Sequence, residues 1–306
     1  MKNIINYYYG LNLDSEITTN DNSNFYFKSK NNLYCFSKLN LHEVKRITEL
    51  YNSYSINSKF HGILLNKKGN LFSVNMNDYY ILMRIKVGNN IFSYTQLINY
   101  YKELWTMGLV FNLSKINWPV LWRRKIDYLE YYVQENQSIN SHIKCLCNYF
   151  IGVSENAIML INTAMENYKD DFYYEKVTFC HERIKKDYTL YDLYNPKNIL
   201  VDHYSRDISE YLKTLIFCEN YNDVLENIID KINFTKVGYI LLLARTMFPT
   251  FFYDMLNNID ESSFDDRDLI KIYDYINKYE SLISRIYLSI SKKVWLPKIN
   301  WFITKN

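Results

Sequence analysis

The pattern of apolar residues changes once along this chain, close to residue 87, and that change limits the folds open to it. Before it, apolar and aromatic residues come in short runs bounded by turn residues. "NFYFKSKNNLYCFSKLN" (24–40) holds two such runs on either side of Lys30-Asn31-Asn32 and predicts a β-hairpin. "HGILLNKKGNLFSV" (61–74) predicts a second hairpin turning at Lys67-Lys68-Gly69-Asn70, and "DYYILMRIK" (78–86) a further strand. Between them Asn40 opens a helix, with Glu43 three residues on as its capping-box partner. Leu41, Val44, Ile47, Tyr51 and Tyr54 form that helix's apolar stripe. Residues 1–86 therefore read as strands around one helix.

From Gly88 onward the spacing is mostly helical. Ser93 with Gln96 predicts a capped start, and "YTQLINYYKELWTMG" ends at Gly108, suited to the left-handed position after a helix. Asn117-Trp118-Pro119 starts the next helix with proline in its first turn, and Trp118, Trp122, Leu129 and Tyr132 repeat at helical spacing. Helices are also expected over 139–150, 154–168, 207–217, 221–232, 235–247 and about 265–292, interrupted by strand-like runs at 177–181 and 198–203. The outline is α+β: a small strand-rich lobe (1–86), a connector near 87–92, and a large, mainly helical lobe within 87–306.

Charge and cysteines exclude several classes. A net charge of +3 over 306 residues is too small for a nucleic-acid-binding domain. The densest basic cluster, Arg123-Arg124-Lys125, lies inside an amphipathic helix and reads as a solvated face. Five cysteines, an odd number in a long chain, argue against a disulfide framework. Cys145-Leu-Cys147 lacks zinc spacing, and His42, His61, His142 and His203 show none either. No apolar run reaches 18 residues and the N-terminus lacks a leader's apolar stretch, so a cytoplasmic protein without membrane insertion is expected. Trp118, Trp122, Trp295 and Trp301 are expected to pack in the interior.

The stretch "TFCHERIKKDY" (178–188) is the candidate for chemistry. A β-branched and aromatic run delivers His181 to a charged loop. Cys180 and His181 would face opposite ways on a strand, which disfavours a thiolate pair.

Several segments, in order, resemble one known family. They are "LYCFSKLN" with the helix after it, "DYYILMRIK", "NWPVLWRRKIDYLE" (117–130), "CHERI" (180–184), "VDHYSRDISEYLK" (201–213), "ARTMFPTFFYD" (244–254) and "LPKINWF" (296–302). Together they resemble the spore-coat-associated kinase-like proteins (the CotS/YutH group), within the aminoglycoside-phosphotransferase-like branch of the protein-kinase-like fold. The resemblance implies a bilobal kinase-like fold, spore-coat localisation, and other spore-coat proteins as partners if the organism sporulates. Active phosphotransferases of this fold carry His-Gly-Asp-x-x-x-x-Asn, whose Asp orients the attacking hydroxyl and whose Asn and a later Asp hold magnesium; a first-lobe lysine paired with a helix glutamate grips the nucleotide. Laid on this chain, the pattern keeps His181, replaces its glycine by Glu182, and sets Arg183 at the Asp position and Tyr188 at the Asn position.

A guanidinium offers no lone pair to a proton or to Mg²⁺, and losing the base alone costs about 10²–10⁴ in rate. Asp202 would fall at the later metal-binding position, but one carboxylate without its Asn is a poor Mg²⁺ site. In a second register, read from "NPKNILVD" (195–202), Asn198 would be the metal ligand; the catalytic position then falls on Leu193, and Asp192 misses it by one. Gly10 is the one glycine before Gly62, so no glycine-rich loop can wrap phosphates. Lys38 with Glu43 or Glu49 is the candidate nucleotide pair, and Asp207 is expected to brace the loop. The resulting reading is a pseudokinase acting as a spore-coat binding and assembly protein, with no cofactor or metal expected. The alternative is a divergent small-molecule phosphotransferase of aminoglycoside or choline type, using ATP and Mg²⁺ through Asp192 or Asp202.

Overall fold

The structure is a computed structural model describing residues 1–17, 23–113, 117–135, 140–185, 187–216, 225, 228–229, 231–256 and 266–299. The chain divides into two compact units, Met1–Leu109 with Asp187–Val201, and Val110–Lys186 with Asp202–Asn306. The first therefore runs past the limit at residue 86 read from sequence and takes in a later segment.

The first unit is built on an antiparallel sheet of β1 (Ser15–Ile17), β2 (Asn24–Ser29), β3 (Asn32–Leu39), β4 (Gly62–Leu64), β5 (Ser73–Asn75) and β6 (Asp78–Arg84), in the order β1-β2-β3-β6-β4, with β5 also on β6. The β2–β3 hairpin turns at Lys30 and Asn31, with φ of 47° and 62°; β5–β6 turns at Met76 and Asn77, with φ of 49° and 67°. Two successive left-handed residues match the twist of the paired strands. The hairpin expected over 61–74 does not form. β4 and β5 both lie against β6, Gly62 opposite Arg84 and Ser73 opposite Tyr80. The turn between them is real: Asn66 Oδ1 accepts the Lys68 and Asn70 amides at 2.9 and 3.0 Å. Seven-residue β6 is long enough to pair two short strands end to end.

One face of this sheet is covered by α1 (Lys2–Tyr9), a helix not anticipated from sequence. It buries Ile5 against Phe27, Tyr34, Phe36, Tyr80 and Leu82. Phe27 stacks on Tyr34 and Phe36 on Tyr80, with centroids 5.3 and 4.9 Å apart. "KNIINYYY" has no side-chain N-cap and one buried residue, so packing and not local propensity holds it. Cys35 and Ser37 alternate with Tyr34 and Phe36 on β3 and point to the opposite face, with Tyr26 directly across from Cys35. α2 (Leu41–Tyr54) starts at the Asn40–Glu43 capping box and α3 (Tyr94–Thr106) at the Ser93–Gln96 box. Gly108 (φ 72°) ends α3: its N–H donates to Trp105 O at 3.1 Å, and that of Leu109 to Leu104 O at 2.9 Å.

Residues 187–201 are latched onto the same unit. Arg46 donates to Lys197 O at 2.5 Å and Tyr54 to Pro196 O at 3.3 Å. His61 N–H reaches Tyr194 O at 3.1 Å, and Leu190 N–H reaches Asn90 O at 2.8 Å.

The second unit is mainly helical. The helices expected over 139–150 and 154–168 are one, α5 (Ser141–Asn167), following α4 (Trp118–Glu135). Ser154, the expected start of the second, returns its hydroxyl to Phe150 O at 2.7 Å and leaves the helix intact. The helix Lys236–Met247 is buried all round from Val237 to Met247, as a central helix must be. Helices Lys169–Tyr173, Ser205–Leu215, Thr250–Leu256 and Asp266–Ser291 also belong to this unit; Lys169–Tyr173, Thr250–Leu256 and the short strand β7 (Val110–Asn112) were not expected. β7 pairs antiparallel with β8 (Lys176–His181), and Ile199–Asp202 forms a strand where the chain crosses from one unit to the other. Trp122 stacks on Phe248 at 4.3 Å and on Trp118 at 5.8 Å. Trp295 is an exception to the interior assignment, at 61% exposure. The helix expected over 221–232 lies largely outside the described residues, and Trp301 lies outside them.

Candidate functional site

β8 ends in His181, whose backbone N–H donates to both Asp207 oxygens at 2.9 and 3.2 Å and whose Nδ1 faces Asp207 Oδ2. Asp207 is fully buried in the first turn of Ser205–Leu215, where the helix dipole favours its negative charge. It fixes the loop entrance. Beyond it, Arg206 donates to the carbonyls of His181 (2.9 Å) and Glu182 (2.8 Å) and to Asp202 Oδ2 (2.9 Å). Asp202 Oδ2 also accepts Trp118 Nε1 at 2.8 Å, and Oδ1 accepts the His203 amide at 2.7 Å. Both of its oxygens are thus committed.

Arg183 holds an ionic knot. Its guanidinium donates to Asp254, to Thr250 O (3.2 Å) and to Glu210 Oε2 (3.4 Å). Glu210 is buried and shared with Lys213 Nζ at 3.1 Å and Arg245 Nε at 3.5 Å. Burial opposes its ionisation, but Lys213, Arg245 and Arg183 outweigh that and hold its carboxyl at about 2. Burial pushes Lys213 down to about 7. Arg245 lies over Trp118 and Trp122, 5.2 and 5.8 Å from their centroids. Such a cluster fixes helix ends to the loop and offers no proton acceptor at position 183.

The other candidates belong to the first unit. Tyr188 is buried edge-on to Phe92, centroids 6.0 Å apart. Asp192 accepts the amide and hydroxyl of Thr189 at 3.0 and 2.7 Å, capping the turn Leu190–Leu193. Asn198 Nδ2 reaches Asp192 O at 3.4 Å, and Leu193 is fully buried. Lys38 pairs with Asp78 at 2.6 Å, both half-exposed, and not with Glu43. Glu43 completes its capping box and faces Lys197 Nζ at 3.7 Å. The lysine opposite the helix glutamate therefore comes from the turn Pro196–Asn198, where Asn-Pro-Lys signals a turn but no pairing.

Sequence reasoning also missed Tyr191. Its ring lies 6.0 Å from Tyr26 and 4.6 Å from His61, and Cys35 is a further neighbour. Burial raises the pKa of its hydroxyl and that of the Cys35 thiol. An aromatic side chain thus covers the sheet face on which Cys35 lies. A second unforeseen arrangement, Ser205–His203–Glu175, is hydrogen-bonded at 2.7 and 3.3 Å in triad order. All three are buried and Glu175 also binds Thr235, the cap of Lys236–Met247, so the relay joins elements.

Among the described residues no group of three or more His, Cys, Asp or Glu could hold a metal. The Mg²⁺ that a kinase-like fold implies needs open oxygen ligands in octahedral geometry. Asp202 with three donors already on it, and a buried phenol at Tyr188, do not fit that ion. No helix of the described residues is long and apolar enough to cross a membrane.

A family model described as "Spore coat putative kinase YutH" matches residues 2–285. Among solved structures, an aminoglycoside phosphotransferase from Alicyclobacillus acidocaldarius subsp. acidocaldarius DSM 446 is similar with a TM-score of 0.61 and 9% identity, over 93% of this chain and 94% of that one. The spectinomycin phosphotransferase APH(9)-Ia, in complex with ADP and spectinomycin, is similar with a TM-score of 0.50 and 12% identity, over 94% and 97%. At such identities the likeness is one of fold: a mixed α+β, protein-kinase-like fold. No curated protein matches the chain.

Proposed function

The chain belongs to the spore coat YutH family, and from that premise we propose that it is a pseudokinase, a kinase-like coat protein that binds and positions other spore-coat proteins without transferring phosphoryl groups. The observation that carries this reading is the setting of Arg183. Aligned with the catalytic aspartate of active relatives, it is bonded to Asp254, Glu210 and the Thr250 carbonyl. A cation anchored this way cannot take a proton from a hydroxyl, and removing it would strand a buried carboxylate. Asp192, the residue the competing phosphotransferase reading needs, is consumed in a cap, and Asp202 is neutralised by Arg206.

The test is ATP with Mg²⁺ added to the purified protein. The expected result is no Mg²⁺-dependent rise in Tm and no γ-phosphate transfer to aminoglycoside, choline or water. Turnover abolished by Asp192→Ala or Asp202→Ala would overturn the reading.

A further inference from the structure

The second unit contains a cavity of about 180 Å³ between the middle of α4 and the helix Thr250–Leu256, lined by Arg124, Lys125, Tyr128, Leu129, Tyr132, Tyr253 and Leu256. A cavity of roughly 150 Å³ accommodates a benzene ring, so this one holds a ring with a charged substituent. Its walls differ in chemistry. Tyr253, buried, supplies an aromatic surface with Leu129 below it. Lys125 reaches over that ring, its ammonium 5.4 Å from the centroid. Neither Lys125 nor Arg124 has a carboxylate partner among the described residues.

The cavity also adjoins the ionic knot: Lys125 lies within electrostatic reach of Arg183, Arg245 and Glu210. Burial lowers the Lys125 pKa, and Arg183 and Arg245 lower it further, while Glu210 opposes them. Glu210 already serves Lys213, Arg245 and Arg183. An anion entering here would face two cations without a carboxylate partner among the described residues on one side and a tyrosine face on the other. A cation would meet repulsion from the same groups.

We propose that this cavity is a binding site for a small aromatic anion, a single ring bearing a carboxylate or phosphate. The ring lies against Tyr253 and Leu129, and the anionic group takes Lys125 and Arg124. This goes beyond the pseudokinase reading and stands whether or not the chain transfers phosphate.

Calorimetric titration of the full chain with phenyl phosphate and benzoate tests it, with benzyl alcohol, benzylamine and inorganic phosphate as controls. The expected result is saturable binding of both aromatic anions with a Kd on the order of 1 mM or tighter, weakening as salt rises. The ring-free phosphate binds at least about tenfold more weakly than phenyl phosphate, and the alcohol and amine do not bind. Lys125→Met keeps the stem but removes the charge, and lowers phenyl phosphate affinity about tenfold; Leu256→Trp fills the mouth and abolishes binding. The two variants sit on opposite walls, so either one alone, folded by circular dichroism, decides. Equal affinity in a folded variant, binding of benzylamine as tight as benzoate, or no saturable binding of either anion would overturn the proposal.

Discussion

On the reading proposed above, Arg183 is a substitution that has become structural. The loop that would carry an acid-base residue carries a guanidinium with a carboxylate on either side and a backbone carbonyl between. Restoring the expected residue should therefore not restore chemistry. Arg183→Asp would place a third carboxylate beside Glu210 and Asp254; it is expected to show no ATP turnover and to lose about 2–4 kcal/mol of stability. Chemical denaturation with a turnover assay checks both, and a variant that gains phosphoryl transfer sinks the idea.

His61 offers a second residue-level test. It is buried, its Nδ1 accepts the Lys86 amide, and Nε2 lies 3.1 Å from Tyr191 O, so Nε2 carries the proton. Burial lowers its pKa from 6.5 to about 4. Protonation favours the unfolded chain, so this contribution is complete above pH 6.5 and is lost as pH falls through 4, roughly 3 kcal/mol in all. Comparing wild type with His61→Gln between pH 7 and 4, the variant should lose less Tm; equal losses would rule the assignment out.

At the scale of elements, helix ends were readable and helix interiors were less so. The two capping boxes and the glycine stop at 108 fell where the residues indicated, because each depends on a few neighbouring side chains. Gly108 has open space where a Cβ would sit, so its left-handed φ is the whole constraint. Gly108→Ala should cost about 1 kcal/mol by denaturant titration, and a neutral result would show that the turn relaxes. What the residues did not reveal depended on partners distant in sequence. α1 has no capping side chain to mark its start, and it covers the Phe27–Tyr34–Phe36 surface, which lies far from it in sequence. The 61–74 hairpin failed because the pairing partner lies further on, in β6, and no local signal ranks β6 above the nearer strand. The unbroken Ser141–Asn167 helix depended on a serine satisfying itself internally. In the candidate site the order His181, Glu182, Arg183 could be read from sequence, but the ion pairs that hold Arg183 could not. Lys197 opposite Glu43 was not legible either, since 154 positions separate them (197 − 43).

For the molecule as a whole, the division of the chain has a physical consequence. Segment 187–201 follows Arg183 in sequence yet belongs to the N-terminal unit. Bonds from Arg46, Tyr54, His61 and Asn90 hold its backbone. Tyr191 seals the contact against Tyr26 and His61. If these contacts form one cooperative body, amides of 190–198 should exchange with deuterium as slowly as those of α2 and β3. Tyr191→Ala removes a buried ring at a cost of about 3 kcal/mol, and exchange should accelerate together in 190–198, α2 and β3. Helices α4 and Lys236–Met247, in the other unit, should keep their protection. Acceleration confined to residues beside 191, or spread equally over both units, would show that the segment is not an integral part of the first. Joint acceleration would mean that the stretch 187–201 serves to stabilise the sheet-bearing unit.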